Sequence, residues 1–186
     1  PSNMSTTPRF LGGVGTQTAA VGFGGDNPAL TNNTEEYNSG VWGATGNMII
    51  PIRSMGTSGT QTAALSFGGD NPAITSATEE YTSGTWGPGG NLSTPVSFNA
   101  GAGTQAASVS FGGLDPANTG ATSFYNSGTW SNVNANMTIA RNALFGAGTQ
   151  TAALAVGGAD PAASNATEEF NTSDTGNING FLFDGS

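Results

Sequence analysis

Apolar side chains along this chain come in short alternating runs. In Thr62-Ala63-Ala64-Leu65-Ser66-Phe67, an extended backbone sends Ala63, Leu65 and Phe67 to one face and Thr62, Ala64 and Ser66 to the other. The same alternation sets Ala19/Val21/Phe23 against Thr18/Ala20/Gly22, Ala107/Val109/Phe111 against Ala106/Ser108/Ser110, and Ala152/Leu154/Val156 against Thr151/Ala153/Ala155. One face is large and the other small each time, so stacked sheets would mesh large against small. No stretch keeps a 3.6-residue period long enough for a helix. Around the second run the pattern predicts four short strands: residues 52–57, 62–67, 78–81, and one beginning at Thr85-Trp86. Turns are expected at residues 58–61 and at Ser83-Gly84, with Asp70-Asn71-Pro72 opening a loop.

The pattern repeats. Gly15-Thr16-Gln17 returns at Gly59, Gly103 and Gly148, at steps of 44, 44 and 45 residues. The pairs Gly24-Gly25, Gly68-Gly69, Gly112-Gly113 and Gly157-Gly158 keep the same phase, as do Tyr37, Tyr81, Tyr125 and Phe170, and Trp42, Trp86 and Trp130. A period of this size belongs to propellers, solenoids and arrays. A lone four-stranded sheet cannot bury its large face, so neighbours must cover it. Radial stacking gives an all-β propeller of four four-stranded blades, or four blades of a larger one. The repeats fall at about 3–46, 47–90, 91–135 and 136–186, within one domain spanning 1–186. Phe23, Phe67, Phe111, Trp42, Trp86 and Trp130 are expected between blades.

An apolar strand ending in Gly-Gly, then Glu-Tyr, then Trp five residues later resembles the kelch repeat. The residues are Phe23-Gly24-Gly25, Glu36-Tyr37 and Trp42; Phe67-Gly68-Gly69, Glu80-Tyr81 and Trp86; and Phe111-Gly112-Gly113, Tyr125 and Trp130. The fourth copy departs, with Phe170 for Tyr and Thr175 where Trp would fall. The wording Gly-Thr-Gln-Thr-Ala-Ala-Leu, followed by Gly-Gly and Thr-Glu-Glu-Tyr, is also similar to repeats in tail-fibre or virion-associated proteins of tailed phages. The resemblance implies a propeller fold; propellers host many unrelated roles. The opening Asn3-Met4 matches Asn47-Met48, so in a closed ring this segment is expected to complete the last blade. The unmatched 179–184 segment is expected to supply blade four's outer strand or a contact for another chain. A start at Pro1 without Met is expected of a processed or excerpted sequence.

Charge narrows the function classes. Charged residues make up 8% of the chain and the net charge is −9, against about a quarter charged in ordinary domains. Arg9, Arg53 and Arg141 are the only cations. Nucleic acid and anionic membrane surfaces call for clustered Lys and Arg, so neither is an expected partner. No apolar run approaches a transmembrane length, so no membrane insertion is expected. With no Cys and no His, there is no Ser/His or Cys/His nucleophile, no zinc site and no disulfide framework.

The remaining candidates sit at repeated positions. Glu35-Glu36, Glu79-Glu80 and Glu168-Glu169 point to opposite faces of a strand, so they do not form an acid/base pair. Copy three has Ser123-Phe124 there. Asp26-Asn27, Asp70-Asn71, Asp115 and Asp160 stand before Pro in loops 26–33, 70–77, 114–121 and 159–166, which is turn chemistry and lacks the ligand spacing of a calcium loop. These loops differ between copies and are the candidate binding loops. Each Arg is expected to pair with a Glu or a carbonyl within the repeat.

No enzyme activity and no cofactor are therefore expected. The reading is a non-enzymatic virion structural or adhesion protein: a phage tail-fibre, tail or capsid-surface component. Its expected partners are other virion proteins or a host-surface glycan, with a homo-oligomer or many copies per particle. The alternative is a kelch-type protein–protein interaction module of a cellular or secreted protein.

Overall fold

The computed structural model describes residues 1–171 and the backbone of Leu182–Asp184. Every regular element among the described residues is a strand. Blade 1 holds β1 (Gly12–Gly15), β2 (Ala19–Phe23), β3 (Thr34–Asn38) and β4 (Val41–Ala44). Blade 2 holds β5 (Gly56–Thr60), β6 (Ala63–Phe67), the two-residue ribbon β7 (Asp70–Asn71) and β8 (Ala73–Ile74), then β9 (Thr78–Thr82) and β10 (Thr85–Pro88). Blade 3 runs β11 (Ala100–Gly103), β12 (Ala107–Phe111), ribbon β13 (Leu114–Asp115) and β14 (Ala117–Asn118), β15 (Thr122–Asn126) and β16 (Thr129–Val133). Blade 4 runs β17 (Phe145–Thr149), β18 (Ala152–Val156), ribbon β19 (Ala159–Asp160) and β20 (Ala162–Ala163), β21 (Thr167–Asn171) and β22 (Leu182–Asp184).

Each blade is an antiparallel four-stranded sheet with its strands in sequence order. In blade 2, Leu65 of β6 stands opposite Ser58 of β5 and Glu80 of β9. The inner strands β1, β5, β11 and β17 neighbour one another in that order. They surround a cavity of about 590 Å³ lined by segments of all four. The architecture is a four-blade β-propeller.

The strand boundaries correct the expectation for blade 2. Its first strand is Gly56–Thr60, not 52–57, and the turn is Gln61-Thr62. Residues 52–55 leave the sheet because their apolar side chains are needed elsewhere: Ile52 and Met55 are buried between blades 1 and 2, and Arg53 bridges to Asp70. The Gly-Gly pairs do close each second strand. Gly68 and Gly69 have φ of 68° and 100°. A Cβ on them would lie 2.4 Å from the Val96 carbonyl oxygen and 2.6 Å from that of Arg53, so glycine is required by both conformation and space.

Packing follows one rule, large face onto the next small face. Val21 and Phe23 of blade 1 meet Ala64, Tyr81 and Trp86 of blade 2. Leu65 and Phe67 meet Tyr125 and Trp130 of blade 3. Val109 and Phe111 meet Ala153, Ala155 and Phe170 of blade 4. Phe23 packs edge-on to Trp86 at 4.8 Å between centroids, and Phe67 to Trp130 at 4.9 Å.

The succession stops at its ends. Leu154 and Val156 on the large face of blade 4 are 39% and 36% exposed, whereas Leu65 and Phe67 are fully buried. Trp42, expected between blades, is only half-buried, because among the described residues no large face covers the small face of blade 1. The opening segment does not complete blade 4 either. Ser2 donates its N–H to the Gly40 carbonyl and its Oγ accepts from the Trp42 N–H, so the segment runs along blade 1. The outer strand of blade 4 is β22, paired with β21.

Candidate functional site

The residues that repeat with the strictest phase build the contacts between blades. Gln61, in the turn between β5 and β6, sends Nε2 back to the Tyr37 carbonyl at 2.7 Å and to Asn38 Oδ1 at 3.0 Å. Gln105 reaches the Tyr81 carbonyl at 2.6 Å, and Gln150 the Tyr125 carbonyl at 2.7 Å. The Gln of Gly-Thr-Gln is therefore a clasp onto the preceding blade, a role that a turn residue did not reveal in the sequence.

Two further clasps use the aromatic marks. Trp86 Nε1 donates to Thr34 Oγ1, and Trp130 Nε1 to Thr78 Oγ1, both at 2.9 Å. The Tyr81 hydroxyl donates to Glu36 at 2.6 Å and that of Tyr125 to Glu80 at 2.5 Å. Burial, with the Glu36 carboxylate accepting its proton, pushes the Tyr81 hydroxyl up to about 12. In the third interface both partners change together: Phe170 replaces the Tyr and Phe124 the Glu, and the rings meet edge-to-face at 5.5 Å. Changing one partner alone would bury an unpaired polar group.

The paired glutamates thus divide their work across the two faces, as strand geometry requires. The second of each pair in blades 1 and 2 receives the Tyr of the next blade. The first lies on the opposite face and ties down the segment entering its own blade. Glu35 accepts the N–H of Ser5 and Thr6, Glu79 those of Ile49 and Ile50, and Glu168 that of Thr138. In blade 3, Asn132 Oδ1 takes over, accepting from the hydroxyls of Ser93 and Ser123. Burial raises the Glu79 carboxyl above its ordinary value, and the two N–H groups offset this only in part. At Glu35 and Glu168 burial also pushes upward, but the donors win and the net shift is downward.

These directions give a pH expectation. A lowered folded pKa contributes stability above the unfolded value near 4.5, and that stability is lost as pH falls through the folded pKa. Glu79, raised, has the opposite sign: its contribution is present at low pH and lost as pH rises through its folded pKa. Urea unfolding measured between about pH 6 and pH 3 is expected to show falling stability that is flatter in Glu168→Gln. An unchanged slope in that variant would contradict the assignment.

The arginines serve the structure. Arg9 Nε and Arg53 Nη1 both bind the buried Asp26 carboxylate, at 2.8 and 2.5 Å. The Arg9 hydrogen bond foremost holds that carboxyl below its ordinary value, against the effect of burial. Arg141 is fully buried; it pairs with Glu168 and donates from Nε to the Gly157 carbonyl at 2.8 Å. Arg141 stands one position earlier in its repeat than Arg53 does. Asn142 makes the bridge that Arg53 makes, while the Arg141 carbonyl accepts from Gly113 as that of Ile52 does from Gly25. An arginine thus occupies the slot filled by Ile52 in blade 2 and Val96 in blade 3.

The candidate binding loops form one rim. Asp70 and Asn71, Leu114 and Asp115, and Ala159 and Asp160 are arms of the small ribbons, and each ribbon is bridged to the segment entering its blade. The tips project: Asn27, Pro28, Pro72, Pro116 and Pro161 are exposed, as is Asp160, whereas Asp26 is buried and committed to its two arginines. The opposite rim carries the tight Gly-Thr-Gln and Ser-Gly turns.

Among the described residues no three His, Cys, Asp or Glu side chains stand together in a way that would hold a metal ion. No protein-family model matches the chain, and no curated protein matches it. The class is set by the fold: a β-propeller whose repeats are consistent with the kelch type. That fold is compatible with a protein-interaction module.

Proposed function

We propose that this chain is a non-enzymatic binding component of a virion surface, presenting its ribbon tips to a host-surface glycan or a neighbouring virion protein. The observation that carries the binding part is the asymmetry of the two rims. One is made of near-identical tight turns. The other displays four differing tips, each held by backbone bridges. Loops that differ on a constant scaffold are the usual site of recognition, and tethered tips lose little entropy on binding. Four tips per chain and many chains per particle would raise weak affinities by avidity.

The virion placement rests on composition and on the likeness to phage-fibre repeats. A surface of Asn, Ser, Thr and Gln with almost no cations is well hydrated and insensitive to salt. Labelling of intact particles should find the protein at their surface, and loop variants such as Asn27→Ala with Asp160→Ala should reduce adsorption while the fold stays intact. Recovery of the protein in a soluble fraction with no particle, with adsorption unchanged by the variants, would favour a cellular or secreted interaction module instead.

A further inference from the structure

The two ends of the blade series are complementary to each other. At the first two internal contacts the preceding blade offers a large apolar face, a Glu, a Thr and a carbonyl; the following blade offers a small face, a Tyr, a Trp and a Gln. Blade 4 carries the first set, and among the described residues nothing packs against it. Leu154 and Val156 are exposed on its large face, Thr167 and Glu169 are exposed on β21, and Ala153 stands at the position whose carbonyl accepts from the next Gln in blades 1, 2 and 3. Blade 1 carries the second set: an exposed Gln17 and the half-buried Tyr37 and Trp42, beside a hollow of about 500 Å³ lined by Met4, Leu11, Val14, Gly22 and Trp42.

The matching extends to the residues that vary. Where the following blade has Tyr, the preceding one has Glu; where it has Phe170, the preceding one has Phe124. Blade 4 ends in Glu169 and blade 1 begins with Tyr37, so the pairing rule holds across the two ends. The inner rim shows the same incompleteness. Ser54 N–H donates to the Phe10 carbonyl, Phe98 N–H to that of Ser54, and Ala143 N–H to that of Phe98. All four residues have φ between 52° and 57°. Among the described residues no bond from Phe10 N–H to the Ala143 carbonyl closes the relay.

We propose that the open face of blade 4 receives the open face of blade 1 of a second copy of this chain, so that copies associate head to tail. Val156 enters the hollow over Trp42, Tyr37 donates to Glu169, Trp42 donates to Thr167, and Gln17 clasps the carbonyl of Ala153. Such a contact is heterologous: it closes into a ring where the rotation allows and otherwise grows. It does not depend on where the protein is displayed.

Sedimentation of the purified chain over a range of concentrations tests this. Wild type should gain mass as concentration rises. Ala20→Arg blocks the blade 1 face and Leu154→Arg the blade 4 face, and each variant alone should remain a monomer. Mixed in equal amounts, they should form a one-to-one dimer and stop there, since each retains one intact end. That recovery also shows that both variants fold. Gln17→Ala, which removes a clasp without blocking the face, should weaken association by about tenfold, the effect of about 1.4 kcal/mol. A wild type that stays monomeric throughout would mean that the ends meet within one chain or await a different partner, and would overturn the proposal. Self-association of either blocked variant would overturn it as well, since it would reveal a face-to-self contact.

Discussion

Phe67→Ala should lower the unfolding free energy by about 3–5 kcal/mol, the usual cost of truncating a buried Phe. The ring is completely buried between blades 2 and 3. One edge packs on Trp130 and another reaches the backbone at Gly56 and Gly101, where a built Cβ would come within 2.5 Å of it. Glycine backbones and a clasped tryptophan have little freedom to move into the space, so the cavity would persist. Urea denaturation measures the loss. A change below about 1 kcal/mol, within the scatter of surface substitutions, would mean that the face does not pack as described.

Arg141→Ile should cost about 3–5 kcal/mol, although Ile fills the same slot in blade 2. The slot differs because Glu168 shares it. Removing the guanidinium leaves a buried carboxylate with only the Thr138 donors, and an uncompensated buried charge costs more than an apolar side chain returns. The loss should shrink in acid, where Glu168 takes up a proton. Equal or greater stability than wild type at neutral pH would refute the pairing.

Much of the fold was legible because one rule is written four times. The alternating Ala/Val/Phe and Thr/Ala/Gly faces fixed which side of each sheet is large. The Gly-Gly marks fixed where the second strands end. Strand starts were less legible: 52–55 reads as the start of a strand, and only the three-dimensional packing shows Ile52 and Met55 to be inter-blade core. Trp42 was misplaced for a related reason. Phase makes it equivalent to Trp86 and Trp130, but burial depends on the neighbour, and among the described residues blade 1 has none on that side. Arg141 stands seven residues before its Gly-Thr-Gln where Arg9 and Arg53 stand six, and only the structure shows that this one-residue difference places it in the core rather than at the rim. The glutamines were visible as the most regular mark, yet their clasping role needs the neighbouring blade's carbonyls, which leave no trace in a sequence.

The spaces between sheets are wedges. Near the axis Gly101 and Gly146 let backbones approach so closely that a Cβ on Gly101 would lie 2.5 Å from the Thr57 carbonyl oxygen and one on Gly146 2.5 Å from that of Gly101. Farther out, Phe and Trp rings hold the same sheets apart. The taper between a thin inner edge and a thick middle sets the angle from each sheet to the next, and that angle sets how many sheets complete a circle. Methyl groups added at the axis would thicken the thin edge and blunt every wedge. A circle of blunter wedges needs more of them, so the blade number of this propeller is encoded largely in the side chains its innermost strands lack.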